Sequence, residues 1–228
     1  MPSEREVYQR HADQYERLIL REDYQGNISK EIAKIRNPKN LDVFELGAGT
    51  GRLTRDLIRT AKKLRACDAS QHMLELARKI INTQTGVAPH LVAADMRQTP
   101  FPDNSADIVI AGWSFCYLAV WGKEKWQEAV EEGFAEAARL LRPEGTFILL
   151  ESYGTGTETP DPPPHLQAYL DYLDANGFQS SWFRSDYQFA SLEEALNLTG
   201  FFFGEEMVDK VSKNHWEVLP ECTAVFWK

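Results

Sequence analysis

The segment VFELGAGTGRLT, residues 43–54, constrains the fold more than any other part of the sequence. A short apolar run carries an acid, Glu45, near its end, and glycines follow at positions 47, 49 and 51. A glycine-rich turn directly after a buried strand is typical of α/β folds that bind a ligand at the carboxyl end of the strand. The segment therefore predicts a parallel sheet with a ligand site at this edge.

Short apolar runs alternate with segments of helical period over the first 152 residues. Strands are predicted at 41–46, 63–68, 90–95, 106–114 and 146–152, and helices at 49–61, 71–82 and 123–142. This alternation predicts parallel strands joined by right-handed crossovers, which is a doubly wound α/β unit. After a loop at 153–164, helices are predicted at 165–178 and 191–211 and strands at 181–189 and 217–228, too few for an independent core.

Composition argues against several classes of partner without excluding a local basic groove. The formal net charge is -9 and the isoelectric point is about 5.1, which argues against binding through nucleic-acid phosphates or to an anionic membrane. No run reaches the roughly 18 apolar residues of a membrane span, and the N-terminus lacks an apolar signal region. Three scattered cysteines, Cys67, Cys116 and Cys222, indicate reduced buried thiols without a metal site. We expect a cytoplasmic protein.

Acidic residues lie at or near the carboxyl ends of the first three predicted strands, at Glu45, Asp68 and Asp95. Any one of them alone could instead cap a helix or form a turn. Because the carboxyl ends of parallel strands meet at one edge of the sheet, three such acids together favour a ligand site.

The charge and spacing of the glycine turn restrict the ligand. In the dinucleotide fingerprint G-x-G-x-x-G, the third glycine would fall at Arg52, and a pyrophosphate would be repelled by Glu45. A ligand with an ammonium or sulfonium group would instead be attracted by the Glu45 carboxylate. Asp68 lies 21 positions after Gly47 (68 − 47), which suits a carboxylate that binds ribose hydroxyls. The turn therefore predicts a ligand with a ribose and a cationic part.

Four ordered segments resemble the motifs of class I S-adenosylmethionine-dependent methyltransferases, and most closely the small-molecule branch that includes ubiquinone-type enzymes. They are VFELGAGTGRLT, ACDASQHMLELAR, AADMRQTPFPDNSADIVIAGWSF and LLRPEGTFILLES, all within residues 43–152. The resemblance implies a Rossmann-like, mostly parallel seven-stranded sheet with an antiparallel last strand and helices on both faces. It also implies S-adenosylmethionine as cofactor and S-adenosylhomocysteine as product.

The resemblance further implies cofactor-binding roles. Glu45 would hold the methionine ammonium, the turn Gly47-Ala48-Gly49 would lie against the methionine part, and Asp68 would bind the ribose. The remaining positions would contact or cover the adenosyl part and the sulfonium end: Tyr15, Ala69, Met73, Asp95, Met96 and Trp113. Candidates for a role in catalysis at the acceptor are His11, Tyr15, Tyr117 and Tyr153. In-line methyl transfer needs a general base only for a protonated acceptor, so none of these is required.

We predict a single domain over residues 1–228, with an N-terminal helical lid at 1–40, a cofactor-binding core at 41–152 and a C-terminal part at 153–228 that completes the sheet and the substrate side. The predicted function is methyl transfer to a small molecule by a monomer or homodimer. An alternative is a non-catalytic S-adenosylmethionine-binding or protein-interaction module. A nicotinamide oxidoreductase is disfavoured by Glu45 and Arg52. A nucleic-acid methyltransferase is disfavoured by the net charge and by AGWS at 111–114, where an Asn/Asp-Pro-Pro-aromatic motif would stand.

Overall fold

The computed structural model describes residues 4–228, with side chains from residue 5 onward. The strands are β1 (Asp42–Leu46), β2 (Lys63–Asp68), β3 (His90–Ala93), β4 (Ala106–Gly112), β5 (Leu141–Thr155), β6 (Gln179–Arg184), β7 (Tyr187–Gln188), β8 (Val218–Leu219) and β9 (Glu221–Trp227). The helices are α1 (Glu4–Arg10), α2 (Ala12–Ile19), α3 (Asn27–Ile35), α4 (Thr54–Leu57), α5 (Gln71–Thr85), α6 (Cys116–Gly122), α7 (Trp126–Leu140), α8 (Gln167–Ala175), α9 (Leu192–Phe202) and α10 (Glu205–Asn214).

Seven strands form one sheet in the order β3-β2-β1-β4-β5-β9-β6. The first five pair in parallel, and β9 runs antiparallel to both β5 and β6. The predicted doubly wound sheet with an antiparallel last strand is confirmed. The chain winds outward in both directions from β1 and β4, so the carboxyl ends of these two strands flank the switch point where α/β sheets bind ligands.

The central strands are apolar throughout because helices cover both faces of the sheet. Phe44 of β1 lies in the cluster that α7 and α8 complete, whereas the adjacent Val43 lies in the cluster that includes Ile28 and Ile32 of α3. Burying each such side chain stabilises the fold by roughly 1.5–3 kcal/mol. The two clusters therefore fix which side of β1 faces which helices, and with it the direction of the turn that follows the strand.

The N-terminal segment crosses the ligand edge of the sheet. The hydroxyl of Ser70, the N-cap of α5, donates to the carbonyl of Tyr8 in α1 at 2.9 Å. Glu16 of α2 pairs with Arg55 of α4 at 2.8 Å, and both side chains are nearly buried. These contacts hold α1 and α2 over the ends of β1 and β2. Within residues 4–228, no helix has both the length and the apolar character needed to cross a membrane.

Several predicted boundaries are wrong for identifiable reasons. The helix predicted at 49–61 shrinks to α4, because Gly49 and Gly51 take positive φ values of 53° and 88°. The helix predicted at 191–211 divides at Gly204, whose φ is 87°, into α9 and α10. The helix α6 was not predicted, although it lies beside the ligand edge of the sheet.

The helix α9 provides a test of local stabilisation by a single side chain. The hydroxyl of Ser191, the N-cap of α9, accepts the N–H of Glu194 at 3.2 Å, and the Glu194 carboxylate accepts from the N–H of Ala190. Replacing an N-cap serine by alanine costs about 1 kcal/mol. Ser191→Ala should lower the free energy of unfolding in urea by this amount. Ser212→Ala, at an exposed position of α10, is the control and should leave it unchanged.

Candidate active site

A cleft of about 720 Å³ opens at the carboxyl ends of the central strands, beneath residues of α1 and α2. Every residue predicted to bind the cofactor lines it: Tyr15, Glu45, Gly47, Ala48, Gly49, Asp68, Ala69, Met73, Asp95, Met96 and Trp113. Of the predicted catalytic candidates, Tyr15 and Tyr117 line the cleft. His11 and Tyr153 are not among its lining residues. The centroids of the His11 and Phe201 rings are 5.9 Å apart, and Tyr153 packs against the core.

The glycine turn is fixed to the neighbouring strand and leaves no room for a side chain at its start. The N–H groups of Gly47 and Ala48 both donate to the carbonyl of Cys67 in β2, at 2.8 and 2.9 Å. Gly47 has a φ of 76°, and a Cβ added there would lie 2.3 Å from the Cβ of Ser114. The close approach of the segment after β4 therefore already requires glycine at this position, before any ligand is considered.

Glu45 lies beneath this turn and is only 2% exposed. Its carboxylate accepts a hydrogen bond from the Thr54 hydroxyl at 2.5 Å. Burial raises the pKa of Glu45 to about 8, and the Thr54 hydrogen bond opposes that rise. A carboxyl group in this position disfavours an anionic ligand and gains from a cationic one, because a nearby positive charge stabilises its ionised form.

Asp68 joins the glycine turn to the start of α5. Its Oδ2 accepts the N–H of Gly49 at 2.8 Å, and its Oδ1 accepts the N–H of Ser70 at 2.7 Å. Burial raises the pKa of Asp68, whereas the two backbone hydrogen bonds lower it. Each carboxylate oxygen has two lone pairs, so both oxygens keep a site for a hydroxyl donor such as a ribose provides.

Asp95 lies at the rim of the cleft and is held by Arg97. The nearest nitrogen and oxygen of the two side chains are 2.6 Å apart, and a second nitrogen of Arg97 contacts Glu132 at 3.1 Å. The hydrogen bond from Arg97 lowers the pKa of Asp95, so this carboxylate is ionised at neutral pH. Arg97 fixes the orientation of Asp95, an arrangement that the sequence did not predict.

Arg52 has a structural role that sequence reasoning missed. Its guanidinium lies 3.5 Å from the ring centroid of Trp113, and its Nη2 lies 2.7 Å from the carboxylate of Glu22, which is buried. Trp113 takes a φ of 49°, a left-handed conformation that is uncommon for a bulky residue and costs roughly 1–3 kcal/mol. The Arg52 side chain thus connects Trp113 in the cleft wall with Glu22 in the segment after α2.

Three aromatic side chains line the cleft at α1 and α6. The Tyr8 and Tyr117 hydroxyls are 2.7 Å apart, and the rings of Tyr117 and Trp121 stack at 4.5 Å with an interplanar angle of 23°. Tyr8 and Trp121 were not predicted as site residues. The spacing of four between Tyr117 and Trp121 places both on one helical face, but this signal is readable only once α6 is recognised.

Within the described part of the chain, no group of three or more His, Cys, Asp or Glu side chains is arranged to hold a metal ion. In the described part of the chain none of the three cysteines forms a disulfide, and all three are buried, as predicted. Burial raises the pKa of the Cys67 thiol to about 12, while the backbone carbonyl of Cys67 accepts from the N–H groups of the glycine turn. The thiol is therefore protonated at neutral pH and is not a nucleophile.

Comparisons with known proteins relate this fold to methyltransferases. Residues 44–149, slightly less than half of the chain, match the family model described as "Methyltransferase domain". The solved structure of an S-adenosylmethionine-dependent methyltransferase from Aquifex aeolicus has the same fold, with a TM-score of 0.55 and 15% identity, covering 87% of this chain and 88% of that one.

Two curated relatives resemble the same region. The chain is 29% identical over 153 residues to malonyl-[acyl-carrier protein] O-methyltransferase of Halorhodospira halophila, covering 64% of this chain and 46% of that protein. It is 31% identical over 110 residues to demethylmenaquinone methyltransferase of Tropheryma whipplei, covering 48% and 41%. The chain thus matches less than half the length of each. Residues 44–149 therefore resemble a methyltransferase domain, and the fold is one that solved methyltransferases share.

The raised pKa of Glu45 predicts how stability depends on pH. The folded state holds this proton up to about pH 8, whereas the ordinary value is 4.5. The stabilising contribution is therefore complete below pH 4.5 and is lost as the pH rises through about 8. Between pH 6 and pH 9, the free energy of unfolding in urea should fall more for the wild type than for Glu45→Gln. An equal fall in both proteins would contradict a raised pKa at Glu45.

Proposed function

We propose that this protein transfers a methyl group from S-adenosylmethionine to a small-molecule acceptor. The observation that carries the proposal is the placement of Glu45 and Asp68 on either side of one glycine turn in one cleft. A buried acid under the turn suits a cationic amino-acid end, and an acid with free lone pairs at the end of β2 suits a ribose. S-adenosylmethionine combines a cationic amino-acid end with a ribose and carries no phosphate.

The proposed placement of the cofactor follows from these two anchors. Glu45 would hold the methionine ammonium and Asp68 the ribose hydroxyls. The positions beyond them along the cleft would then take the adenine: Ala69, Met73, Asp95 and Met96. The carboxylate of Asp95, already oriented by Arg97, would accept from the adenine amino group. Trp113 would border the sulfonium end, opposite Tyr15 of α2.

In the proposed mechanism, the protein acts mainly by positioning the cofactor and the acceptor. S-adenosylmethionine supplies, when bound, a methyl carbon activated by its sulfonium, and the acceptor atom bonds to it while the sulfur retains the electrons of the broken bond. The strained backbone of Trp113 and the bracing by Arg52 would keep the cleft wall rigid, so that the reacting atoms stay in line. The helices α1 and α2 would exclude water from above. We infer that residues 1–228 act as one domain in this way.

The acceptor is not carried over from the relatives. Their names specify two different acceptors, a malonyl group on an acyl carrier protein and demethylmenaquinone, and each match spans less than half of the relative. The non-catalytic alternative is not favoured, because the fold, the family match and the acids of the cleft all agree with an enzyme. We keep the prediction that neither nucleic acid nor a membrane is a partner.

Asp68 provides the sharpest test of the cofactor site. Hydrogen bonds to a charged group contribute about 1.5–3 kcal/mol each. Asp68→Asn should therefore weaken S-adenosylhomocysteine binding by about 10- to 100-fold in titration calorimetry, from a wild-type Kd in the micromolar range. Asp161→Asn, at an exposed position after β5, is the matched control and should bind as the wild type does.

A thermal melt of each variant verifies that it is folded before the titration. At about 100-fold excess over Kd, ligand binding should stabilise the wild type by about 2.7 kcal/mol. Equal binding by Asp68→Asn and Asp161→Asn would refute the ribose site. Absence of binding by the folded wild type would refute the proposed function.

A further inference from the structure

Glu151 of β5 is a buried acid that is not among the residues lining the cleft and that the proposed cofactor site does not use. The residue is 0% exposed. Its Oε1 accepts two hydrogen bonds, from the Tyr169 hydroxyl of α8 at 2.8 Å and from the backbone N–H of Cys116, the first residue of α6, at 3.1 Å. The carboxyl group of Glu151 therefore joins the sheet, α8 and the start of α6 at one point.

The helix α6 connects this point to the cleft. Four of its seven residues line the cleft: Tyr117, Leu118, Trp121 and Gly122. The first N–H groups of a helix have no partner within the helix, so an acceptor from outside fixes where the helix begins. Phe115, at the N-cap position, offers no side-chain hydrogen bond, and Glu151 accepts the N–H that follows it. The position of the Glu151 carboxyl group thus affects the α6 side of the cleft.

The carboxyl group of Glu151 changes its charge near neutral pH. Burial raises the pKa of Glu151 to about 7, and the hydrogen bonds from Cys116 and Tyr169 oppose that rise. Its Oε2 is buried and has no hydrogen-bond partner among the described residues. Both the proton and the negative charge are therefore poorly compensated at this atom, and neither form is strongly preferred at pH 7.

The groups that face Glu151 strengthen their contact when it ionises. The titratable ones are Cys116 of α6 and Tyr169 of α8, and the neighbouring strands β4 and β9 place Gly112 and Ala224 beside this part of β5. Burial and the charge of Glu151 raise the pKa of Tyr169 well above its ordinary value, so its hydroxyl remains a donor at neutral pH. An ionised carboxylate accepts such hydrogen bonds more strongly than a neutral carboxyl group does.

We propose that Glu151 is a positioning residue, which holds α6 at the side of the cleft through the N–H of Cys116 and holds it more firmly when ionised. The inference rests on the proposed function, because it takes the cleft as the place of methyl transfer. The side of the cleft that carries Tyr117 and Trp121 should be fixed more firmly above pH 7 than below it. Small displacements of such a side matter, because methyl transfer depends on the alignment of the reacting atoms.

The first test is a pH titration of Trp121 fluorescence without ligand. The Trp121 signal is the difference between each protein and the same protein carrying Trp121→Phe. The wild type should show a transition with its midpoint near pH 7. Glu151→Gln retains an acceptor oxygen but does not titrate, so its Trp121 signal should stay constant. A transition that persists in Glu151→Gln, or that is absent from the folded wild type, would overturn the inference.

Glu221→Gln is the matched control. Glu221 is also a buried glutamate of the sheet, 2% exposed, and its Oε2 likewise has no hydrogen-bond partner in the described part of the chain. It lies on β9, and its backbone N–H donates to Asp186, not to a group of α6. The Trp121 transition of this variant should match that of the wild type. Equal loss of the transition in both glutamine variants would count against a specific role of Glu151.

Tyr169→Phe provides a second variant, which keeps the carboxyl group and removes one donor. Because the hydrogen bond from Tyr169 lowers the pKa of Glu151, its loss should move the midpoint of the Trp121 transition upward by roughly one pH unit. This result is expected even if Glu151→Gln does not fold. An unchanged midpoint would contradict the assignment of the transition to Glu151.

Binding of S-adenosylhomocysteine links the position of α6 to the function. Its Kd is measured by titration calorimetry at pH 6 and pH 8 for the wild type and for Glu151→Gln. Glu45 titrates in both proteins, so its contribution cancels in the comparison. The gain in affinity from pH 6 to pH 8 should be about 5-fold larger for the wild type, at the lower end of typical coupling between two sites. Equal gains would overturn the inference.

The two proposals fail in distinguishable ways. If the folded wild type does not bind S-adenosylhomocysteine, the proposed function fails, and the Trp121 titration still decides whether Glu151 holds α6. If S-adenosylhomocysteine binds but neither the Trp121 signal nor the affinity depends on Glu151, the proposed function stands and the positioning role fails.

Discussion

The buried carboxyl group of Glu45 is the constraint on which the site depends. Glu45 lies beneath the glycine turn and is only 2% exposed. Its carboxyl group accepts a hydrogen bond from the Thr54 hydroxyl. An uncompensated charge at such a depth is expensive, so the group retains its proton or requires a cation. Both Glu45 and the spacing of the turn, which puts Arg52 where a third glycine would stand, disfavour a pyrophosphate. We propose that Glu45 makes the cleft select a cationic ligand by charge.

The other residues at the ligand edge of the sheet contact the glycine turn that covers Glu45. Asp68 clamps the turn to α5 through two backbone N–H groups, and the carbonyl of Cys67 holds the first two residues of the turn. Arg52 directly follows the turn, and its guanidinium lies over the ring of Trp113. The side chain of Ser114 packs closely against Gly47. Local backbone geometry, side-chain charge and the neighbouring strands therefore specify one arrangement, which agrees with a preorganised cofactor site.

The sheet and the positions of the acids could be predicted from the sequence because they depend on local signals. A strand buried on both faces is continuously apolar, and an acid or glycine directly after it lies at a known edge. Those signals identified β1, β2, Glu45 and Asp68. The role of Arg52 could not be predicted, because its partners Glu22 and Trp113 lie 30 and 61 positions away (52 − 22 and 113 − 52). The contact between Tyr8 and Tyr117 was missed for the same reason, since the two residues meet only after the sheet is assembled.

Proton release on cofactor binding tests the central claim most directly. At pH 7 the Glu45 carboxyl, with its pKa near 8, is mostly protonated in the free protein. The cofactor's ammonium would stabilise the ionised form and expel that proton. Calorimetric titration with S-adenosylhomocysteine, in buffers of different ionisation enthalpy, should show net proton release by the wild type and much less by a folded Glu45→Gln variant that still binds. Equal release by both proteins, or none by the wild type, would contradict the selection of the ligand by Glu45.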